Sequence, residues 1–144
     1  METLLDKGMH GNMEYMARHF ERLTDPSKLL PGARSVITFL INYFPETAQT
    51  KASPKISKYA YGKDYHEVIT EKLNHFFYWM RENIGERNGR GFVDSALVLE
   101  RAWAQKSGLG WIGKNGNLLN KKQGSFFFIA SLITDLELKE DEAG

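Results

Sequence analysis

Two phosphate-binding patterns match the glycine-dense segment 108–116. Its first three glycines satisfy the spacing G-x-G-x-x-G of dinucleotide-binding loops, and the residues up to Lys114 satisfy G-x-x-x-x-G-K of P-loops. Both motifs need a strand before the glycines and a helix after them, whereas a predicted helix precedes this segment. A P-loop also needs Ser or Thr where Asn115 stands. We therefore expect a loop that approaches another group closely, either a flat ligand or a neighbouring strand.

Two charged residues near this segment are candidates for acid–base chemistry and ligand binding. Asp94 lies between a predicted strand and a predicted helix. It can cap that helix, or it can act as a general acid if its surroundings let it hold a proton near neutral pH. Arg101 points away from the apolar face of the next helix. It is either solvated and paired with a carboxylate, or it holds an anion or a ligand oxygen in a pocket.

The histidines and the missing cysteines limit the metal chemistry. The four histidines are scattered and match no metal-ligand spacing, so no metal site is predicted. His66 follows Tyr65 at the start of the longest predicted helix, a position suited to ligand contact, although a lone histidine is more often structural. The chain has no cysteine, which excludes a disulfide, a thiol nucleophile and a cysteine-held iron–sulfur cluster within it.

Helices and strands alternate along the chain. Apolar side chains at helical spacing predict a helix over 64–84 that ends at Gly85. The β-branched and aromatic run at 35–44 predicts a largely buried strand. The other predicted elements are a helix at 12–22, a loop at 45–57, a strand at 90–94, a helix at 97–106, and strands at 117–119 and 124–132 that form a hairpin. This mixture indicates a single domain of the α+β or α/β class.

The composition is that of an ordinary globular domain. The chain has 144 residues, of which 42% are hydrophobic, and a formal net charge of +1. A chain of this length can bury a core without disulfides or a structural metal. The near-neutral charge does not indicate strong nucleic-acid binding by bulk electrostatics. No apolar stretch approaches the ~20 residues that span a bilayer, so no membrane partner is expected.

Six short motifs occur in order along the chain. They are GMHGNMEYM at 8–16, LPGARSV at 30–36, YGKDYH at 61–66, FVDS at 92–95, VLERA at 98–102 and GLGWIGKN at 108–115. Together they make the chain similar to the N-terminal catalytic region of the epoxyqueuosine reductase family. The resemblance covers essentially the whole chain, and its most specific part is the last motif behind VLERA.

The resemblance implies a fold, cofactors and a reaction. It implies an α+β domain of the nitroreductase-like, corrinoid-binding type, with a mixed or antiparallel sheet and flanking helices. It implies base-off cobalamin and, in the full-length protein, two 4Fe-4S clusters that this chain does not bind. The reaction is the oxidoreductase step of queuosine biosynthesis, a tRNA modification. Epoxyqueuosine at the wobble position of tRNA is reduced to queuosine in the cytoplasm, with electrons from an external donor.

The resemblance also assigns roles to individual residues. Asp94 matches the acid that protonates the epoxide oxygen, and a poor oxyanion leaving group needs such an acid. Arg101 matches an arginine of the substrate pocket. Six further residues lie in matching motifs and are expected around the corrinoid or the substrate, chiefly as cofactor-binding residues: Tyr65, His66, Trp111, Gly113, Lys114 and Asn115.

The chain departs from the family pattern in several places. Ala96 and Leu97 stand where the family has proline before VLERA, and Gly116 stands where it commonly has threonine. The cysteine-rich region and a leading strand are also missing. Residues 1–144 are therefore expected to be the catalytic region truncated at both ends, without the ferredoxin-like domain. Such a fragment is expected to be inactive alone and able to self-associate through an open sheet edge.

Two other functions compete with this interpretation. One is a flavin nitroreductase-like enzyme, which would be yellow where a corrinoid protein is red or orange. The other is a non-catalytic module that binds a corrinoid or tRNA and in which Asp94 is structural. Separate binding tests with cobalamin and a tRNA anticodon stem-loop distinguish these possibilities.

Overall fold

The computed structural model describes residues 25–46, 49–50, 54–95 and 98–142, so the helix predicted at 12–22 lies outside the described residues. Two short 3-10 helices occur at Pro26–Lys28 and Lys58–Ala60. The other elements, in chain order, are β1 (Ser35–Asn42), α1 (Tyr65–Ile84), β2 (Gly89–Val93), α2 (Glu100–Lys106), β3 (Trp111–Ile112), β4 (Leu118–Leu119) and β5 (Phe127–Thr134).

The main sheet has three strands in the order β1-β5-β2. The central strand β5 is antiparallel to both neighbours, with Asn42 opposite Phe127 on one side and Val93 opposite Ala130 on the other. Because β5 is covered on both faces, its residues are buried or half-buried along the whole strand, and its sequence is mostly apolar rather than alternating. The antiparallel sheet with flanking helices confirms the predicted α+β class.

The long helix α1 covers one face of the sheet. Its buried residues Ile69 and Leu73 pack against Ala130 of β5. Asp64 caps the helix by accepting a hydrogen bond from the backbone N–H of His66. Gly85 follows the last turn at φ 114°, which a side chain would make unfavourable. Both predicted ends of this helix are therefore confirmed.

The opposite face of the sheet is covered by α2 and by the small β3–β4 hairpin. Ala104 of α2, Leu118 of β4 and Phe127 of β5 form one buried cluster. Phe127 and Ala130 are an odd number of positions apart on β5, so their side chains point to opposite faces. The sheet is therefore the middle layer between the two helices.

The predicted pairing of residues 117–119 with 124–132 is wrong. β4 pairs with β3, through Trp111 opposite Leu119, and β5 pairs with β1 and β2 instead. Asn120 ends β4 in a turn, because its side-chain oxygen accepts from the backbone N–H groups of Lys122 and Gln123. Only a single bridge, between Asn120 and Gly124, remains of the predicted hairpin.

Candidate active site

The site begins where β2 ends. Asp94 follows Val93, and among the described residues it is the one non-glycine residue with a positive φ, at 48°. Aspartate tolerates this left-handed conformation better than most residues, but it still carries a cost of roughly 1–2 kcal/mol. Such strain is common at functional sites. The turn leaves the carboxylate of Asp94 largely exposed at the sheet edge.

The first residues of α1 converge on this carboxylate. The hydroxyl of Tyr65 donates a hydrogen bond of 2.5 Å to Oδ2 of Asp94. Nε2 of His66 lies 3.6 Å from the same oxygen. The fold thus brings together three predicted site residues that are 28 and 29 positions apart in the sequence.

Asp64 orients the histidine from the other side. Its Oδ1 lies 3.0 Å from Nδ1 of His66 and also accepts the backbone N–H of that residue at 2.9 Å. The imidazole therefore lies between two carboxylates, those of Asp64 and Asp94. A proton on Nδ1 can be held by Asp64 while Nε2 faces the exposed turn.

Aromatic stacking fixes the position of Tyr65. Its ring lies on Phe128 of β5, with centroids 4.1 Å apart and planes at 7°, and His66 stacks on its other side at 4.0 Å. The hydrogen bond to Asp94, together with burial, raises the pKa of the Tyr65 phenol to about 12. The phenol therefore stays protonated at neutral pH and remains a hydrogen-bond donor to Asp94.

Asp94 is not the cap of α2. The N-cap of that helix is Leu99, five residues further on, and it makes no side-chain cap bond. The interpretation of Asp94 as a helix cap is therefore wrong. Its contacts in the structure are with α1, through Tyr65 and His66.

Sequence reasoning missed Glu100, the first residue of α2. Its side-chain Oε1 accepts a hydrogen bond of 3.3 Å from the backbone N–H of Ser95, inside the turn that carries Asp94. The pKa of the Glu100 carboxyl is raised to about 7, chiefly by burial and also by the nearby charge of Asp94, against the lowering effect of the backbone hydrogen bonds and of Arg101. The motif VLERA contained this glutamate, but only the packing shows that it points inward.

Arg101 connects α2 to the tip of the β3–β4 hairpin. Its Nη1 donates a hydrogen bond of 2.8 Å to the carbonyl oxygen of Gly116. The described part of the chain contains no ion pair between Arg101 and a carboxylate within 4.0 Å. The residue is exposed beside the Asp94 turn, and its role in substrate binding stays a prediction.

The glycines at 110 and 113 are explained by the hairpin itself. A Cβ on Gly110 would lie 2.0 Å from the carbonyl oxygen of Leu119, and one on Gly113 would lie 2.8 Å from the Leu119 side chain. The sequence left open whether this loop approaches a flat ligand or a neighbouring strand. The close neighbour of both glycines is β4, a strand of the same hairpin. A contact of Gly113 with the corrinoid stays a prediction.

The remaining predicted residues lie on the outer surface of the hairpin. Trp111 is 47% exposed, and Lys114 and Asn115 are also exposed. The side chain of Asn115 accepts the backbone N–H of Asn117 and so shapes the turn between β3 and β4. Within the described residues no hydrogen bond or ion pair joins these three side chains to Asp94. These three side chains form a second surface, apart from the one at the Asp94 turn. Helix α2 links the two, because Glu100 contacts the turn and Arg101 contacts the hairpin.

Comparison with known proteins agrees with this arrangement. The family model described as "Epoxyqueuosine reductase QueG, DUF1730" matches residues 24–95, which is half of the chain. The match includes β1, α1 and β2 together with the converging residues Tyr65, His66 and Asp94.

The chain belongs to the epoxyqueuosine reductase QueG family.

Curated relatives that match nearly the whole chain are also named epoxyqueuosine reductase. The epoxyqueuosine reductase of Leadbetterella byssophila is 55% identical over 141 residues, covering 98% of this chain and 47% of that protein. The chain thus spans less than half the length of this relative. The comparisons do not favour the alternative of a flavin nitroreductase-like enzyme.

Solved structures share the fold. The structure of epoxyqueuosine reductase from Streptococcus thermophilus matches with a TM-score of 0.82 at 26% identity, covering 100% of this chain and 42% of that one. A crystal structure of epoxyqueuosine reductase with an epoxyqueuosine-modified tRNA-Tyr stem loop matches at 0.78 and 23% identity, covering 100% and 41%. These matches confirm the α+β fold.

The described residues contain neither a membrane-spanning helix nor a metal-binding cluster. No helix in the described part is long and apolar enough to cross a membrane. No group of three or more His, Cys, Asp or Glu side chains in that part could hold a metal ion.

Proposed function

We propose that this chain is the cobalamin-binding catalytic region of an enzyme that reduces epoxyqueuosine to queuosine in tRNA. The observation that carries the proposal is the convergence of Tyr65 and His66 on the carboxylate of Asp94 at an exposed, strained turn. Membership of the family supports the reaction. The relative solved with an epoxyqueuosine-modified tRNA stem loop supports a tRNA substrate.

The reaction consumes two electrons and two protons. Both carbon–oxygen bonds of the epoxide break, a carbon–carbon double bond forms, and the oxygen leaves as water. An alkoxide is a poor leaving group, so the oxygen must be protonated as the first of these bonds breaks. Asp94 is held in one position at an exposed turn, so that, once it is protonated, it can deliver this proton.

His66 is suited to resupply Asp94. The phenol of Tyr65 donates its hydrogen bond to the carboxylate of Asp94 in the ionised form. A proton on Nε2 of His66, 3.6 Å away, can move to that oxygen, while Asp64 keeps hold of Nδ1. Asp64 and His66 would then act as a short relay that readies Asp94 for the next protonation.

The surface of the β3–β4 hairpin fits a corrinoid. A corrin ring brings its own nitrogen ligands to cobalt, so the protein needs a flat apolar surface rather than a cluster of metal ligands. The exposed ring of Trp111 supplies such a surface, and Lys114 and Asn115 supply polar groups for the amides at the ring edge. Bound reduced cobalamin supplies the electrons that open the epoxide.

The iron–sulfur clusters do not fit on this chain. It contains no cysteine, the usual ligand of 4Fe-4S clusters. We place both clusters, and the contact with an external electron donor, on other parts of the full-length enzyme. A cytoplasmic location is part of this proposal, because a tRNA substrate is expected there.

The reaction is tested in a chimera in which this chain replaces the 141-residue segment it matches in the Leadbetterella byssophila relative. Asp94→Asn should lower the turnover of epoxyqueuosine tRNA at least 100-fold, since general acid catalysis contributes about 10²–10⁴-fold. The cobalamin absorbance should not change. Asp141→Asn, on the exposed tail, is the matched control and should leave turnover unchanged. Wild-type turnover in Asp94→Asn would overturn the role of this residue.

The cofactor is tested on the chain itself. Titration with cobalamin, followed by absorbance, should saturate with a base-off spectrum. Trp111→Ala should weaken the affinity about tenfold, because truncating a packed aromatic commonly costs more than 1 kcal/mol. Trp79→Ala is a suitable control, since Trp79 on α1 is 52% exposed, close to the 47% of Trp111. Equal affinities for both variants would place the corrinoid elsewhere.

Self-association through an open sheet edge stays a prediction. Sedimentation of the chain at several concentrations measures it, and a monomer at all of them would contradict it.

A further inference from the structure

Glu100 lies behind the turn that presents Asp94. Its carboxylate is partly buried at the start of α2, and its Oε1 accepts the backbone N–H of Ser95 at 3.3 Å. The backbone N–H of Asp94 also acts on this carboxylate. The side chain of Glu100 thus holds the backbone of the turn at the amide that directly follows Asp94.

The turn has a reason to need such support. Asp94 is in the left-handed conformation, so the surrounding contacts must compensate for the strain. Its carboxylate is held by Tyr65, whereas the backbone N–H of the next residue, Ser95, is held by Glu100. Losing the backbone contact would let the turn relax toward the ordinary conformation and move the carboxylate away from His66.

We propose that Glu100 is a positioning residue of this active site, which holds the Asp94–Ser95 turn in its strained conformation and does so more strongly when it is ionised. A carboxylate accepts a backbone N–H bond more strongly than a carboxylic acid does. The ionisable groups that act on Glu100 are Asp94, on the turn, and Arg101, on α2. Burial is the largest of these effects, and it raises the pKa of the Glu100 carboxyl to about 7.

The first test needs only the chain and does not depend on the proposed reaction. The amide resonance of Ser95 is followed by nitrogen-15 NMR from pH 3 to 9. It should shift with a midpoint near 7, and the shift should disappear in Glu100→Gln. A midpoint near 4.5, or the same midpoint in the variant, would overturn the proposal.

The second test measures the catalytic consequence and rests on the proposed function. In the chimera, Glu100→Ala should lower kcat about tenfold, the equivalent of one lost hydrogen bond to a charged group, with KM within about twofold. Glu100→Gln keeps an acceptor oxygen and should recover most of the loss, but with a flatter pH profile near 7. Glu82→Gln, on the exposed face of α1, is the control and should behave as wild type.

The outcomes separate the two proposals. A chimera that is inactive even with the wild-type chain would count against the proposed function, and the Ser95 titration would still decide the role of Glu100. If Glu100→Ala fails to fold, the comparison of wild type with Glu100→Gln decides it. Wild-type kcat in Glu100→Ala, or equal losses in both Glu100 variants with no change in pH profile, would overturn the positioning role.

Discussion

Replacing Glu100 by glutamine should stabilise the chain at alkaline pH relative to wild type. The pKa of the Glu100 carboxyl rises from its ordinary 4.5 to about 7 in the folded chain, chiefly because the group is buried. A carboxyl whose folded pKa is raised contributes stability that is fully present below pH 4.5 and is lost as the pH rises through 7. Glutamine is neutral at every pH, so the variant does not lose this stability as the pH rises.

The size of the effect follows from the interval between the two pKa values. Each pKa unit corresponds to about 1.4 kcal/mol, so the whole interval would correspond to about 3 kcal/mol. The side chain is only partly buried, and screening by solvent reduces the effect to about 1–2 kcal/mol. For a chain of this size that is a change in Tm of roughly 3–6 °C.

The assay is urea unfolding of wild type and Glu100→Gln at pH 5 and pH 8. The free energy of unfolding of the variant, minus that of wild type, should increase by about 1–2 kcal/mol between the two pH values. Other titrating groups cancel in this difference. Glu82→Gln, whose side chain lies on the exposed face of α1, should show no such increase. The same pH dependence in wild type and Glu100→Gln would refute the reasoning.

Two further predictions concern the turn and the hairpin. Asp94→Asn should lower the pKa of the Tyr65 phenol from about 12 toward 10, because its hydrogen bond to Asp94 is the largest cause of the raised value. Ultraviolet titration of tyrosinate measures this, and an unchanged midpoint would contradict the contact. Gly110→Ala should destabilise the chain by about 2–4 kcal/mol, since its Cβ would meet the Leu119 carbonyl. The control is Gly116→Ala, where the space is open but φ is positive, and its free energy of unfolding should fall by only about 1 kcal/mol. Equal losses of stability for the two variants in urea unfolding would contradict the close contact.

Local signals were sufficient for the helix that carries part of the site. The spacing of its apolar residues, the cap at Asp64 and the stop at Gly85 are all properties of neighbouring residues, and the structure confirms each of them. The pairing of β4 could not be found this way. Two residues of strand have too little periodicity to select a partner, and Trp111–Ile112 were not predicted as a strand at all.

The sequence by itself determined the class of the fold, the long helix, the position of the first strand and the family, because these depend on local periodicity and on motifs in order. The prediction that this strand is largely buried is wrong: β1 is half-buried, because it lies at an edge of the sheet that the structure describes. Only the tertiary structure brought Tyr65 and His66 onto Asp94, since that meeting depends on how α1 packs against a sheet whose register is set by distant strands. The same is true of Glu100. A glutamate in the first turn of a helix is ordinarily solvated, and its raised pKa arises only when the Asp94 turn covers it and water is removed from its carboxylate.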